Sequence, residues 1–124
     1  MKKFFAVAAM VLAVAAPTAA LAHESAAKHG GVVRTAGDLS FELVNKNGKA
    51  TIYVDDHGRD LPVDGMSGKL TVLNGKEKTE VPLEAGSGNM LVAKGDAKLA
   101  SGAKVVAAIT FPDKSTRTIR FAIK

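Results

Sequence analysis

From Leu39 onward, apolar residues recur at every second position, and most runs end at a turn rich in glycine or asparagine. Leu39, Phe41 and Leu43 alternate with Ser40 and Glu42, and Ile52 and Val54 flank Tyr53. Leu70 and Val72 form the next pair. Val81 and Leu83 flank Pro82, which cannot donate to a ladder and so marks an edge or a bulge. Val105, Ala107, Ile109 and Phe111 make one further series, and Ile119, Phe121 and Ile123 another. A period of two gives each segment one buried and one wet face as a strand. The breaks are "NKNGK" at 45–49, "LNGKE" at 73–77, "AGSGN" at 85–89 and "PDKS" at 112–115. Asn-Gly suits tight hairpins because both residues tolerate positive φ. The glycines of "KGDAKLASGAK" at 94–104 argue for a loop there rather than a helix. About seven short strands at this spacing predict an all-β domain, a small antiparallel β-sandwich or barrel. Leu43, Ile52, Val72, Ile109 and Phe121 are expected in its core. The charged stretch "VDDHGRDLP" at 54–62 is expected to keep Asp55, Asp56, Arg59 and Asp60 in water.

The N-terminus follows another pattern. Met1-Lys2-Lys3 is a short basic start, Phe4 to Ala16 an unbroken apolar run, Pro17 a helix breaker, and Ala20-Leu21-Ala22 a small-residue cleavage site. That is the tripartite layout of a secretory signal peptide. A membrane anchor needs roughly 20 apolar residues, and this run is shorter. The expected organisation is a signal peptide over 1–22, a flexible segment over 23–31 and a single β domain over 32–124. The protein is then exported to the periplasm, and meets the membrane only through its leader before cleavage. Losing Lys2 and Lys3 takes the formal charge from +5 to +3.

That mild charge, with aromatics at only 5% of residues, argues against nucleic acid, whose single strands are held on stacking aromatics and basic clusters. There is no cysteine, so burial alone must hold the domain together, and thiol chemistry is excluded. "GMSG" at 65–68 and "GSG" at 86–88 lack the spacing and setting of a nucleophile elbow, and no phosphate loop, H-E-x-x-H or calcium loop occurs. The sequence does not read as an enzyme.

What remains is a sparse set of metal ligands. Cleavage after Ala22 makes His23 the first residue, with an α-amine of ordinary pKa about 8 beside its imidazole. Amine and ring together can chelate copper, and a second imidazole would extend the site. His29 lies six residues on, in a small-residue segment able to fold back. His57 sits in a charged loop beside Asp55 and Asp56. Imidazole suits copper, zinc and nickel, and thioethers such as Met66 and Met90 favour Cu(I). For His57 the plainer reading is a solvated turn residue; for residues 23–31, a loose tail. Met90 alternates with Val92 and reads as sheet packing.

The blocks "HGGVV", "GDLSFELV", "ATIYVDDHGRDLP", "GKLTVL" and "EVPLEAGSGNMLVA" resemble a domain near the N-terminus of periplasmic adaptor (membrane-fusion) subunits of heavy-metal efflux pumps of the resistance-nodulation-division class. They also resemble short free-standing periplasmic proteins with the same domain. The likeness spans roughly residues 29 to 111 and implies an exported β domain associated with copper, silver, zinc or cobalt. His29 and His57 fall within its recurring blocks. Nothing here corresponds to an adaptor's long helical hairpin and lipoyl-like parts, and the methionine clusters of copper chaperones are absent. Two readings lead. One is a periplasmic accessory protein of heavy-metal handling, binding copper (or zinc or silver) through His23, His29 and His57. The other is an interaction module that docks on an efflux component through a sheet edge or the loop at Asp55 to Pro62, without metal. An unrecognised secreted hydrolase or lyase is the third.

Overall fold

The computed structural model describes residues 26–124, so the leader and His23 lie outside the described residues. Nine strands follow in order: β1 (Val32–Ala36), β2 (Leu39–Lys46), β3 (Lys49–Asp56), β4 (Arg59–Asp60), β5 (Ser67–Asn74), β6 (Glu77–Ala85), β7 (Met90–Ala93), β8 (Lys104–Thr110) and β9 (Thr116–Ala122). No helix occurs among the described residues, and 94–104 is mostly loop. Every pairing is antiparallel, in the order β1-β2-β3-β7-β6-β5-β8-β9, with the two-residue β4 attached to β3. The sheet curls until β1 and β9 lie beside each other without a ladder, a nearly closed barrel. Of the two architectures the alternation allows, this is the barrel.

The core is built from the inner parity of β2, β3 and β5 to β9. Phe41, Leu43, Ile52, Val54, Leu70, Val72, Leu83, Leu91, Ile109 and Phe121 are all buried, including the five residues expected there. Val63 joins them from the connection between β4 and β5.

The rule of one wet face fails on two strands. Ser40 to Val44 on β2 and Ala50 to Asp55 on β3 are buried without interruption. Residues 26–31, placed by the sequence in a flexible lead-in, lie against the outer side of these strands, where Lys28, His29 and Gly31 hydrogen-bond to Glu42. Asp55, expected in water, is buried by this cover, whereas Asp56 is half-buried and Arg59 and Asp60 are exposed.

Candidate functional site

The outer parity of β2 and β3 carries Ser40 and Glu42 opposite Asp55 and Tyr53. Cross-strand partners share a face, so the four form one polar patch. Glu42 is only 6% exposed. A buried carboxylate is tolerable only when its oxygens accept hydrogen bonds, and charge-assisted bonds are the strongest available. Glu42 meets that condition with three backbone donors. Its Oε1 accepts from Lys28 N–H at 3.0 Å, and its Oε2 from His29 N–H at 2.9 Å and Gly31 N–H at 2.8 Å. Gly31 is required by the close approach: a Cβ there would collide with the Leu43 carbonyl oxygen and Val44 Cγ2.

Fixing the backbone of 28–31 fixes its side chains. The His29 ring stacks on Tyr53, centroids 3.7 Å apart and planes 14° from parallel. The Tyr53 hydroxyl in turn accepts from Lys46 Nζ at 2.7 Å. Lys28 reaches the other end of the patch, where its Nζ lies 3.1 Å from Asp55 Oδ2 and donates to the Gly58 carbonyl at 3.0 Å. Asp55 is 8% exposed, and its Oδ1 has no hydrogen-bond partner. Beside it lies a cavity of about 20 Å³ between Lys28, Ser40, Tyr53, Asp60 and Asn89, a volume on the order of one water molecule. The patch thus holds His29 with its ring at the surface, over a floor of two buried carboxylates and one phenol.

His57 is placed differently. Asp56 pairs with Arg59, so His57-Gly58 is a two-residue hairpin loop, with φ of 51° and 85°. Asn47-Gly48 joins Lys46 to Lys49 in the same way, with φ of 51° and 83°. Two consecutive positive φ angles are what a type I′ turn demands, and histidine is among the few side chains enriched there. The His57 side chain is 71% exposed; its Nδ1 lies 2.5 Å from Asp56 Oδ1 and its Nε2 3.9 Å from Asp38 Oδ1. Among the described residues no three His, Cys, Asp or Glu side chains converge on a point where a metal could sit. His29 and His57 therefore belong to separate settings. Met66 is buried in the core, and Met90 pairs with Tyr53 as sheet packing.

Glu42, Tyr53 and Lys28 carry no functional signal in the sequence, and Asp55 enters there only as a solvated neighbour of His57. The glycine pair in "HGGVV" was the one available sign of a close backbone approach; a single glutamate at an outward strand position looks ordinary. Compared with family models, curated proteins and solved structures, the chain gives no match in any of the three.

Proposed function

We propose that the protein is a non-catalytic exported accessory module of heavy-metal handling, which captures copper at its N-terminus through His23 and His29. The observation that carries this reading is the anchoring of His29. Its backbone N–H is tied to buried Glu42 and its ring rests on Tyr53, so an imidazole is held at the surface six residues from the expected terminus. Holding one ligand in place lowers the ordering entropy of binding, which favours a chelate that only His23 need fold back to complete. Imidazole and amine nitrogens suit Cu(II), with zinc and silver as competitors. The resemblance to domains of heavy-metal efflux adaptors supports the same class, and with it an efflux component as partner. His57 takes the lesser part, since its turn already accounts for it.

The test is a spectroscopic Cu(II) titration of the mature protein. His29→Ala is expected to weaken binding, as is one extra residue ahead of His23, which blocks the amine without touching a side chain. His57→Asn removes the imidazole and keeps the turn, because asparagine already occupies the matching position at Asn47; it is expected to bind as the parent does. Acidification is expected to release the metal, because coordination needs a deprotonated amine and neutral rings. Equal affinity of the extended and authentic termini refutes the chelate. If neither binds above background, docking without metal becomes the better reading.

A further inference from the structure

Antiparallel pairing throughout makes successive connections alternate between the two ends of the barrel. The connections at 47–48, 75–76 and 94–103 share one end with residues 123–124. Contacts across that end agree: Asn74 Nδ2 donates to the Lys98 carbonyl at 2.9 Å, and Gly102 N–H to the Ile123 carbonyl at 2.8 Å. The turns at 37–38, 57–58, 86–89 and 111–115 lie at the other end with the connection at 61–66. There His57 Nε2 is 3.9 Å from Asp38 Oδ1.

The two ends differ in charge. At the first, Lys49, Lys76, Lys98, Lys104 and Lys124 are all exposed, against the acids Glu77 and Asp96. Their ammonium groups make no ion pair or hydrogen bond among the described residues. Lys46 and Lys94 start near the same end but are engaged, with the Tyr53 hydroxyl and with Glu84. At the second end Asp38, Asp56, Asp60, Asp64 and Asp113 outnumber Arg59, Lys114 and Arg117. Lys28 reaches that end too, where it is paired with buried Asp55. The free lysines are spread round their rim. Lys49 opens β3, Lys76 joins β5 to β6, Lys98 and Lys104 lead into β8, and Lys124 follows β9. The broad groove at this end is lined by Glu77 and Asp96 as well as Lys98, so it does not cradle a discrete anion. Arginine, whose planar fork suits the capture of a single carboxylate or phosphate, lies elsewhere: Arg59 in β4, and Arg34, Arg117 and Arg120 along the β1–β9 seam.

We propose that this lysine rim docks the folded domain on an anionic lipid bilayer, with the aspartate end turned away from the lipid. A ring of hydrated point charges round a barrel end matches a plane of negative headgroups, which asks for one sign of charge over an area and for no pocket. The exposed residues between the lysines, among them Asn47, Gly48, Gly75, Ser101 and Gly102, are small or polar. Attachment is therefore electrostatic, reversible and sensitive to salt. The aspartates at the far end fix the orientation, because the same surface repels them. None of the copper ligands takes part, so the site is independent of that reading. It brings the domain to a membrane by a route separate from its leader.

The experiment is co-sedimentation of the mature chain with vesicles. Vesicles of phosphatidylglycerol and phosphatidylcholine in equal parts are expected to carry the protein down at low salt, and pure phosphatidylcholine vesicles to leave it in solution. Salt at about 1 M, where the screening length is about 3 Å, is expected to release it. Lys76→Gln with Lys104→Gln takes two charges from the rim. It is expected to weaken binding roughly thirtyfold, given the attraction usual for a lysine near an anionic surface. Arg59→Gln with Lys114→Gln removes the same charge from the opposite end, and is expected to leave affinity within about twofold, being screened from the lipid by distance. All four side chains are exposed, so both pairs keep the fold. Equal loss in the two pairs would show that net charge alone draws the protein to lipid, and overturns the proposal. So does equal binding to both kinds of vesicle, or binding to neither.

Discussion

Strands β2 and β3 are buried on both faces, whereas β8 and β9 keep the single buried face their alternation announces. Inward, the two regions are alike: Phe41 and Ile52 on one side, Ile109 and Phe121 on the other, all in one core. Outward they differ in what each strand offers. Lys104, Thr118 and Arg120 meet solvent directly. Ser40, Glu42, Tyr53 and Asp55 meet residues 26–31, a layer one chain thick that is itself exposed over residues 26–30. The difference teaches that a strand's wet face can become a binding face at the expense of a single well-placed carboxylate. Glu42 has three otherwise unpaired backbone donors to satisfy, and satisfying them decides where His29 stands.

The largest expected effect tests the shared inner face. Phe41→Ala and Phe121→Ala each empty an aromatic core site, one from each region, and each is expected to lower stability by about 3–5 kcal/mol in chemical denaturation. Hydrogen exchange sharpens the comparison: a single core requires Phe121→Ala to loosen the amides of β2 and β3 as well as those of β8. Loss confined to one side would mean that the two regions fold as separate units.

A smaller effect tests the outer faces. Glu42→Ala strips three backbone donors of their acceptor but lets water reach them, so a loss of about 1–3 kcal/mol is expected. Glu84→Ala on β6 removes an exposed carboxylate whose main partner is Lys94, and is expected to change stability by no more than about 0.5 kcal/mol. Tyr53 is the chain's one tyrosine and there is no tryptophan, so intrinsic fluorescence reports the His29 stack directly. Its emission is expected to change in Glu42→Ala and stay constant in Glu84→Ala. An unchanged emission in Glu42→Ala would show that the stack holds the segment without the carboxylate.

How far the sequence could be read follows the same division. Alternation and turn residues are local, and they led to an antiparallel all-β domain, sandwich or barrel, to the buried Leu43, Ile52, Val72, Ile109 and Phe121, and to the loop at 94–104. The His57-Gly58 turn was legible in principle, because "DDHGRD" repeats the layout of "NKNGK". Nothing local marks the cover over β2 and β3. Its residues are small or polar, and its backbone is tied to one side chain from 11 to 14 residues away. The strand at Val32–Ala36 and the seam beside it were equally hidden, since both depend on how far the sheet curls. Asp55 went into the interior because its cover comes from a segment that no periodicity identifies.

The smallest expected effect concerns two carboxylates of the one-faced region, whose causes differ. Glu80 on β6 is held below its ordinary value of 4.5 by Lys78 first and then Lys69, which donate to its carboxylate and lie near it as charges. Asp113, in the turn before β9, is held below 3.8 by the hydroxyl and the backbone N–H of Ser115, both donating to Oδ1. Each native carboxylate therefore gives up its proton more readily than its unfolded counterpart. The sign follows: both groups favour the folded state above their unfolded values, and that contribution is lost as the pH falls through the lowered folded values. Both are fully exposed, so the effect is read on the titrations themselves, by carboxyl carbon NMR. Salt separates the causes. At about 1 M the screening length falls to about 3 Å, which weakens the attraction of two exposed ammonium groups but not hydrogen bonds from a neutral serine. Glu80 is expected to climb back toward 4.5 as salt is added, and further in Lys78→Ala than in Lys69→Ala. Asp113 is expected to hold its position in salt and to rise in Ser115→Ala. Equal movement of the two carboxylates with salt would contradict that assignment and point to the net positive charge of the chain as their common cause.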